Sequence, residues 1–536
     1  MHSLPLAYQS DEALPEASSI GVRVRWPAWL LLLSGLLVFS PLIEGGTTHQ
    51  AVMIIRLMIL SLLGLYLAGA IRAGLLTTPS VRIGLPILAY VGLATISTVS
   101  SPYTNHSIQW LMILLSYGTL LYLLVSYVDQ WNHVSKLLVV VTGMGLLEAG
   151  LALGQGAWFG ATRPDGSFFN PNFLAGYLAV SWSIVLGVLC YAVRPGTLIR
   201  NRLRYGWAPW MRWGASIAML ALLFAAVAWT GSRGGFLAML ASTGLVIGLR
   251  FGRRWVAVLL VIFLSLGFLI PNPLRDRLRA EHAINPVSYA RWQIWQSAGR
   301  EMAEHPLGIG LGLYQYVYPR HAVPIEGQIA RYGKVAQTTH NEYLQMGVEL
   351  GVAGMVMFCW GTIVVARESR LALKQRLARW QRGALVGLTA AVTGMLVHAA
   401  LDSNLHEPAI AIMLTLCVAL ILAIRRLSAR PVEPMPVVPI RSKVLWTGAG
   451  VLVMAGLIAI VIKVGFAWMM YEDGSRAMAQ QDLASAIAGY EAAAALDPGK
   501  ALYHSSVAAA YFQVFQRTKD EASAQVAIEE DRKSVV

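Results

Sequence analysis

Long apolar runs separated by short polar breaks occupy most of this chain. They lie near 27–43, 51–71, 83–100, 107–128, 134–156, 172–193, 213–230, 234–249, 255–271, 343–365, 383–401, 408–424 and 444–468. A helix needs about 20 apolar residues to cross a bilayer. The pattern therefore predicts an all-α, polytopic transmembrane protein with about thirteen spans. Two runs, 234–249 and 255–271, are short enough to tilt or to lie partly in the interface.

The breaks carry an orientation. With the N-terminal tail 1–26 in the cytoplasm, strict alternation puts 194–212, 250–254, 366–382 and 425–443 inside, and each is rich in Arg and Lys. The opposite short loops 44–50, 101–106 and 402–407 have none, and 157–171 has only Arg163. Basic residues favour cytoplasmic loops, and one span more or fewer would scramble this agreement. Two outer regions break the rule. One is Arg233, between two spans. The other is the long loop 272–342, with eight basic residues including Arg291, Arg300 and Arg320. Long loops translocate regardless of charge, so these are either solvated residues or the partners of an anion.

The pattern changes after the last span. Alanine spacing, Tyr490 and Leu496-Asp497-Pro498 give 471–530 the look of a tetratricopeptide-like helical segment. Pro498 stops one helix and another begins near Ala501. About three such repeats are needed to bury a common face. The end, Asp531 to Val536, reads like translated sequencing adapter, so the expectation is a truncated gene with further repeats beyond. The expected organisation is then a tail 1–26, a membrane domain 27–425, a linker and last span 426–468, the repeat segment 471–530 and an artefactual 531–536.

Composition sharpens the class. Of 536 residues 56% are hydrophobic and 13% charged, with mean hydropathy +0.56, against about 25% charged in soluble domains. The net charge of +14 comes from loops between apolar runs, which argues against a nucleic-acid partner and for membrane lipids. Cys190, Cys359 and Cys417 each sit in an apolar run without disulfide or zinc spacing.

Four constellations could carry chemistry. His340, in Thr339-His340-Asn341-Glu342, stands where the long outer loop re-enters the membrane. It is placed for general-base work or for a plain capping contact. In the segment 288–302, Trp292, Trp295, Gly299 and Met302 share one helix face, with Arg291 beside them. That helix either binds an anion or rests its arginine on lipid phosphates, and it ends at Pro306. Gly231-Ser232-Arg233-Gly234-Gly235 is an anion cradle at a helix start or a tight turn with a snorkelling arginine. His398 and Asp402 lie four apart on one helix face, followed by His406 and Glu407. There the choice is between an intramembrane functional pair and a capping aspartate. Gly308, Gly310 and Gly312 read as a turn, and Asn170-Pro171-Asn172 as an outer loop. No D-x-D pair, H-E-x-x-H motif or P-loop is present, which argues against a nucleotide-linked donor and against a metal site.

Together these residues resemble the O-antigen ligase and polymerase superfamily, over roughly 27–425. The most specific stretch runs from Tyr289 to Gly354. It holds Arg291, Trp295, the Pro306–Gly312 turn, His340-Asn341 and Glu349-Leu-Gly-Val-Ala-Gly354. Gly231–Gly235 resembles the family's arginine between two spans, and Asp402 an acidic residue after a late span. The repeat tail departs from the plain ligases.

The resemblance implies an inner-membrane glycosyltransferase of a bacterial envelope, working on the periplasmic face with no cofactor. Its donor would be a glycan on undecaprenyl pyrophosphate and its acceptor lipid A-core, with inversion at the anomeric carbon. His340 and Arg291 would be catalytic, Arg233 and Arg291 would hold the pyrophosphate, Asp402 would support them by orienting His340 or the acceptor, and Asn341 would be a further supporting residue. A polymerase or a protein O-oligosaccharyltransferase uses the same donor. A lipid-linked sugar transporter, or a membrane-tethered repeat scaffold with a protein partner, is the reading from another class.

Overall fold

The structure is a computed structural model. It describes residues 27–77, 81–192, 208–269, 286–321, 336–429 and 436–534. The tail 1–26, most of the inner loop 194–212, and Arg275, Arg277, Arg279, Arg331 and Lys334 of the outer loop lie outside the described residues.

Every predicted run falls on a helix. They are α1 (Ala28–Leu42), α2 (His49–Ala73), α3 (Val81–Val99), α4 (Thr104–Tyr127), α5 (Trp131–Phe159), α6 (Pro171–Ala192), α7 (Ala208–Thr230), α8 (Arg233–Phe251) and α9 (Arg253–Leu269). After the outer loop come α12 (Glu342–Leu373), α13 (Arg379–Ala399), α14 (Pro408–Ser428) and α15 (Lys443–Ala479). The outer loop itself holds α10 (Pro286–Glu304) and α11 (Tyr314–His321). The C-terminus forms α16 (Leu483–Leu496), α17 (Ala501–Thr518) and α18 (Glu521–Ser534). Ten of the described helices are long and apolar enough to cross a membrane, so the chain is an all-α, multi-pass membrane protein. Side-chain caps set several starts. Thr48 accepts from the Ala51 amide, Ser232 from Gly235, and Asn341 from Tyr343 and Leu344, satisfying donors that have no partner inside a helix.

Close backbone approach builds the centre of the bundle. On α6, a Cβ at Gly187 would lie 2.6 Å from the backbone of Gly387 on α13, and one at Gly383 would lie 2.8 Å from the Gly187 carbonyl. Small residues at such a crossing let two helices pack in lipid, where burial of apolar surface gives no driving force between them. Helix α6 is accordingly 83% buried over its apolar window, whereas α15, on the periphery, is 11% buried.

The loops sort to two ends as the charge pattern requires. At one end Ser167 Oγ donates to the Pro41 carbonyl, Ser107 Oγ to that of Leu311, and Leu405 N to Glu342. At the other, Arg426 donates to the Val128 carbonyl, Arg250 to that of Cys190 and Lys443 to that of Arg72. A short antiparallel pair at this second end, β1 (Leu75–Thr77) with β2 (Val437–Pro439), pairs Leu76 with Val438. The apolar pattern gave no sign of it.

Helix α12 is interrupted at Gly351, where φ is 68° and ψ −174°. The Pro306–Leu313 turn fills the gap. Ile309 N donates to the Val348 carbonyl, Gly310 N to the Glu349 carbonyl, and Val352 N to the Pro306 carbonyl. Gly312 N donates to the Glu349 carboxylate at 2.9 Å. The glycine-rich run is thus a backbone plug that satisfies groups a broken helix would leave open in lipid.

Beyond its span α15 continues to Ala479, past the expected end near 468, and α16 crosses it where Gly489 meets Gly474. Trp468, Tyr471, Tyr490 and Tyr503 stack in the resulting corner. The C-terminal helices rest on the N-terminal end of α4, with Ala501 N donating to Tyr103 and Lys500 to Gln109.

A candidate active site at one end of the bundle

Asp402 lies just beyond α13, with its backbone N–H still bonded to the His398 carbonyl. The residue is 3% exposed, and its carboxylate is surrounded by donors. Oδ1 accepts from His340 Nδ1 at 3.0 Å and from the Ser403 amide at 3.0 Å. Oδ2 accepts from Arg291 Nη2 at 2.9 Å and from Asn172 Nδ2 at 2.8 Å. Burial by itself would raise the carboxyl pKa. The His340 hydrogen bond and the Arg291 charge outweigh it and hold the group well below the usual carboxylate range.

His340 is held rigidly on its backbone side. Thr339 N donates to Gln345, Thr339 Oγ1 donates to the Asn341 carbonyl, and Trp295 Nε1 on α10 donates to the Thr339 carbonyl at 3.0 Å. His340 has φ 51°, a left-handed conformation that a non-glycine residue adopts only when its surroundings impose it. With Nδ1–H directed at an ionised carboxylate, Nε2 is left as the basic nitrogen. The side chain is 41% exposed, so that edge of the ring is open.

Arg291, on α10, uses Nη1 on the Leu401 carbonyl at 2.9 Å and Nη2 on Asp402. A guanidinium has five N–H donors, so others remain for an anion. Arg163 forms the next link. Its Nε donates to the Thr230 carbonyl at 3.0 Å and its Nη2 to Asn172 Oδ1 at 3.2 Å. Asn172, in the first turn of α6, thus joins Arg163 to Asp402. Arg233 is the first residue of α8, and a Cβ on the following Gly234 would sit 3.7 Å from Leu401. The start of α8 therefore abuts the Leu401–Asp402 corner, where Arg291 holds the carboxylate directly and Arg163 reaches it through Asn172.

His398 does not pair with Asp402 as its i, i+4 spacing suggested. It is fully buried, wedged between Gly176 of α6 and Gly234 of α8, and neither ring nitrogen has a hydrogen-bond partner among the described residues. A second buried cluster fixes the 402–407 loop to α12. Glu342 accepts from Leu405 N at 2.7 Å and from His406 Nδ1 at 3.0 Å. Burial opposes protonation of His406, but the Glu342 charge overrides it and raises the imidazole to about 9. Burial raises Glu407 to about 8.

The structure brings His340, Arg291, Asp402, Asn341 and Arg233 to one end of the bundle, with Asn341 as the cap of α12 rather than a group facing the cluster. Arg163, Asn172 and Glu342 were not singled out by sequence reasoning. One sign was available, since Arg163 and Arg233 are the two basic residues in the short breaks on this side of the alternation. Among the described residues no group of three or more His, Cys, Asp or Glu is placed to hold a metal ion.

Against this geometry, residues 217–359 match the O-antigen ligase family. The matched segment contains Arg233, Arg291, His340 and Asn341 and ends before Asp402. No curated protein matches the chain. Fold and family match together point to a multi-pass membrane enzyme of the glycosyltransferase kind, in the class of glycan ligases and polymerases.

Proposed function

We propose that this protein transfers a glycan from a polyprenyl pyrophosphate, undecaprenyl pyrophosphate in the bacterial inner membrane, to an acceptor hydroxyl on the periplasmic face. The acceptor that fits the ligase reading is a terminal sugar of lipid A-core. The observation that carries the proposal is the 3.0 Å contact between His340 Nδ1 and Asp402, which leaves Nε2 basic at the open edge of an arginine-rich site.

In this reading the acceptor O–H gives its proton to His340 Nε2 as the oxygen attacks the anomeric carbon. The bond from that carbon to the pyrophosphate oxygen breaks, and its electron pair leaves with the pyrophosphate. One displacement inverts the anomeric configuration. A positioned base is worth roughly 10²–10⁴-fold. Negative charge grows on the leaving oxygen, and the donors we assign to stabilise it are Arg291, Arg163 and Arg233. Guanidinium matches phosphate oxygens two at a time, which an ammonium cannot do. Asp402 is a positioning residue that fixes the His340 tautomer and aims Arg291. The arginine-rich breaks at the opposite end of the bundle support a cytoplasmic position for that end.

The test is reconstitution of the purified protein with undecaprenyl-pyrophosphate-linked glycan, alone and with lipid A-core, followed by mass spectrometry of both products. Core-linked glycan, abolished by His340→Ala and by Arg291→Ala, is the expected result. Longer lipid-linked glycan without core linkage would make the protein a polymerase. Donor left intact with every acceptor, proteins included, would overturn the reading.

A further inference from the structure

A cavity of about 1310 Å³ lies on the other side of the loop that carries His340. Its walls are α2, α4 and α15, and the start of α17 covers it. Gln337 and His406 belong to its lining, whereas His340, Arg291, Asp402, Arg163 and Arg233 do not. It is therefore a space separate from the cluster described above.

The chemistry of its lining is one-sided. Arg56, Lys500 and His406 line it, and among the described residues no aspartate or glutamate does. Arg56 is the most informative of these. It lies seven residues into α2, about 10 Å along the helix at 1.5 Å per residue, among apolar neighbours. It makes no hydrogen bond or ion pair among the described residues, although it is only partly exposed. An arginine at such depth is costly and as a rule faces a partner or an aqueous cavity. Here it faces the cavity. Lys500 enters from the C-terminal helices. It is 6% exposed, bonded to Gln109 at 2.8 Å and 5.5 Å from the centre of the Trp468 ring. His49 stacks on that same ring at 3.5 Å. Deeper down the walls turn apolar, with Ile59, Ile113, Val461 and Val464. Cationic groups above and aliphatic walls below match an amphiphile with an anionic head.

We propose that this cavity is a binding site for a phosphate-bearing headgroup, built jointly by the membrane helices and the C-terminal helices. Arg56 receives the phosphate from within the membrane and Lys500 from above, and the apolar lower walls hold the attached chain. Charge-assisted hydrogen bonds to phosphate are shorter and stronger than those between neutral groups. Two sources share this chemistry, a membrane phospholipid and a soluble phosphate ester.

The experiment places the full chain in phosphatidylcholine nanodiscs, adds phosphatidic acid and counts bound lipid by native mass spectrometry. The expected result is one tightly bound phosphatidic acid. Arg56→Gln and Lys500→Gln each weaken it by about tenfold or more, the range of one charged hydrogen bond, while Arg56→Lys retains part of the affinity. Two variants keep wild-type binding, Arg291→Ala in the candidate active site and Arg253→Gln on the exposed opposite end. Glycerol 3-phosphate in excess separates the sources, since displacement assigns the site to the soluble ester and retention assigns it to the lipid. Equal binding by wild type, Arg56→Gln and Lys500→Gln overturns the proposal. So does an equal loss in Arg253→Gln, which would mean only that a basic protein attracts anionic lipid. Size-exclusion profiles confirm that each variant is folded, and Lys500, outside the spans, serves where Arg56→Gln fails to insert.

Discussion

His340 and Asp402 meet at 3.0 Å across 62 residues of sequence, and the contact sets the direction of the imidazole. Asp402 accepts at both oxygens, twice each, so its lone pairs are fully engaged and the carboxylate has little freedom to turn. The His340 ring inherits that immobility on one edge and presents the other to the open side of the site.

Replacing Asp402 with Asn tests the arrangement. An amide offers Oδ1 to only one side and donates from the other, so either His340 or Arg291 faces a donor. His340 would lose the tautomer in which Nε2 is basic. The turnover rate is expected to fall by roughly 10²–10⁴-fold, with donor KM changing much less. A steeper rise of the remaining rate toward high pH would mark loss of the positioned base. Unchanged turnover in a folded Asp402→Asn protein would remove Asp402 from the mechanism.

Arg163 should matter nearly as much as the arginines named from sequence. Its fork spans two elements, holding the Thr230 carbonyl with one nitrogen and Asn172 with another. Lysine keeps the charge but cannot reproduce the planar fork. Arg163→Lys is expected to lower kcat/KM about 10–100-fold, equivalent to about 1.5–3 kcal/mol for a hydrogen bond to a charged group. Asn172→Ala should fall in the same range because it breaks the same chain of contacts. Steady-state kinetics on both variants and their double mutant checks this, with less than additive losses expected for linked residues.

The membrane helices were legible because hydropathy directly reflects the solvent each segment meets, and all thirteen runs became helices. The residues of the site were legible as types, since charges and histidines at the ends of apolar runs stand out against lipid. Their pairing was not. Spacing on one helix suggested His398 with Asp402, but steric closure by Gly176 and Gly234 turns His398 into packing, and Asp402 instead meets His340, in the loop before α12, a partner that only the family resemblance offered. Asn172 looked like loop punctuation, because nothing local shows that α6 carries it to Asp402. Strands β1 and β2 are three residues each, too short for any alternation to show.

Stability should fall as pH rises through the range in which His406 and Glu407 titrate. His406 is raised from 6.5 to about 9 in the folded protein. Its contribution is fully present below pH 6.5 and is lost as the pH passes 9. Glu407, raised from 4.5 to about 8, has the same sign, because the folded state binds its proton more tightly. Asp402 behaves oppositely. Its folded pKa is depressed, so its contribution persists above the normal carboxylate range and is lost only in strong acid. The thermal midpoint in detergent is expected to drop between pH 6.5 and 9.5, and His406→Gln should flatten that slope. A midpoint that rises over this interval would contradict the assignment of a protonated His406 beside Glu342.

The wedge formed by His398 allows a prediction about the architecture alone. A methyl group at Gly234 would lie 2.6 Å from the imidazole carbon of His398, and one at Gly176 would lie 2.6 Å from its Nδ1. His398 has no exposed surface and packs between two helices, so the ring cannot swing aside. Gly234→Ala is expected to cost about 1–3 kcal/mol by overpacking and to shift the first turn of α8, where Arg233 sits. Because the conflict is with one side chain, His398→Ala should relieve it, and the double variant Gly234→Ala/His398→Ala should be more stable than the sum of the single effects. Thermal unfolding of the four proteins in one detergent measures the coupling. A cycle that closes with no interaction energy would show that the two residues do not press on each other, and that α6, α8 and α13 meet less tightly at this end than at the Gly187–Gly387 crossing.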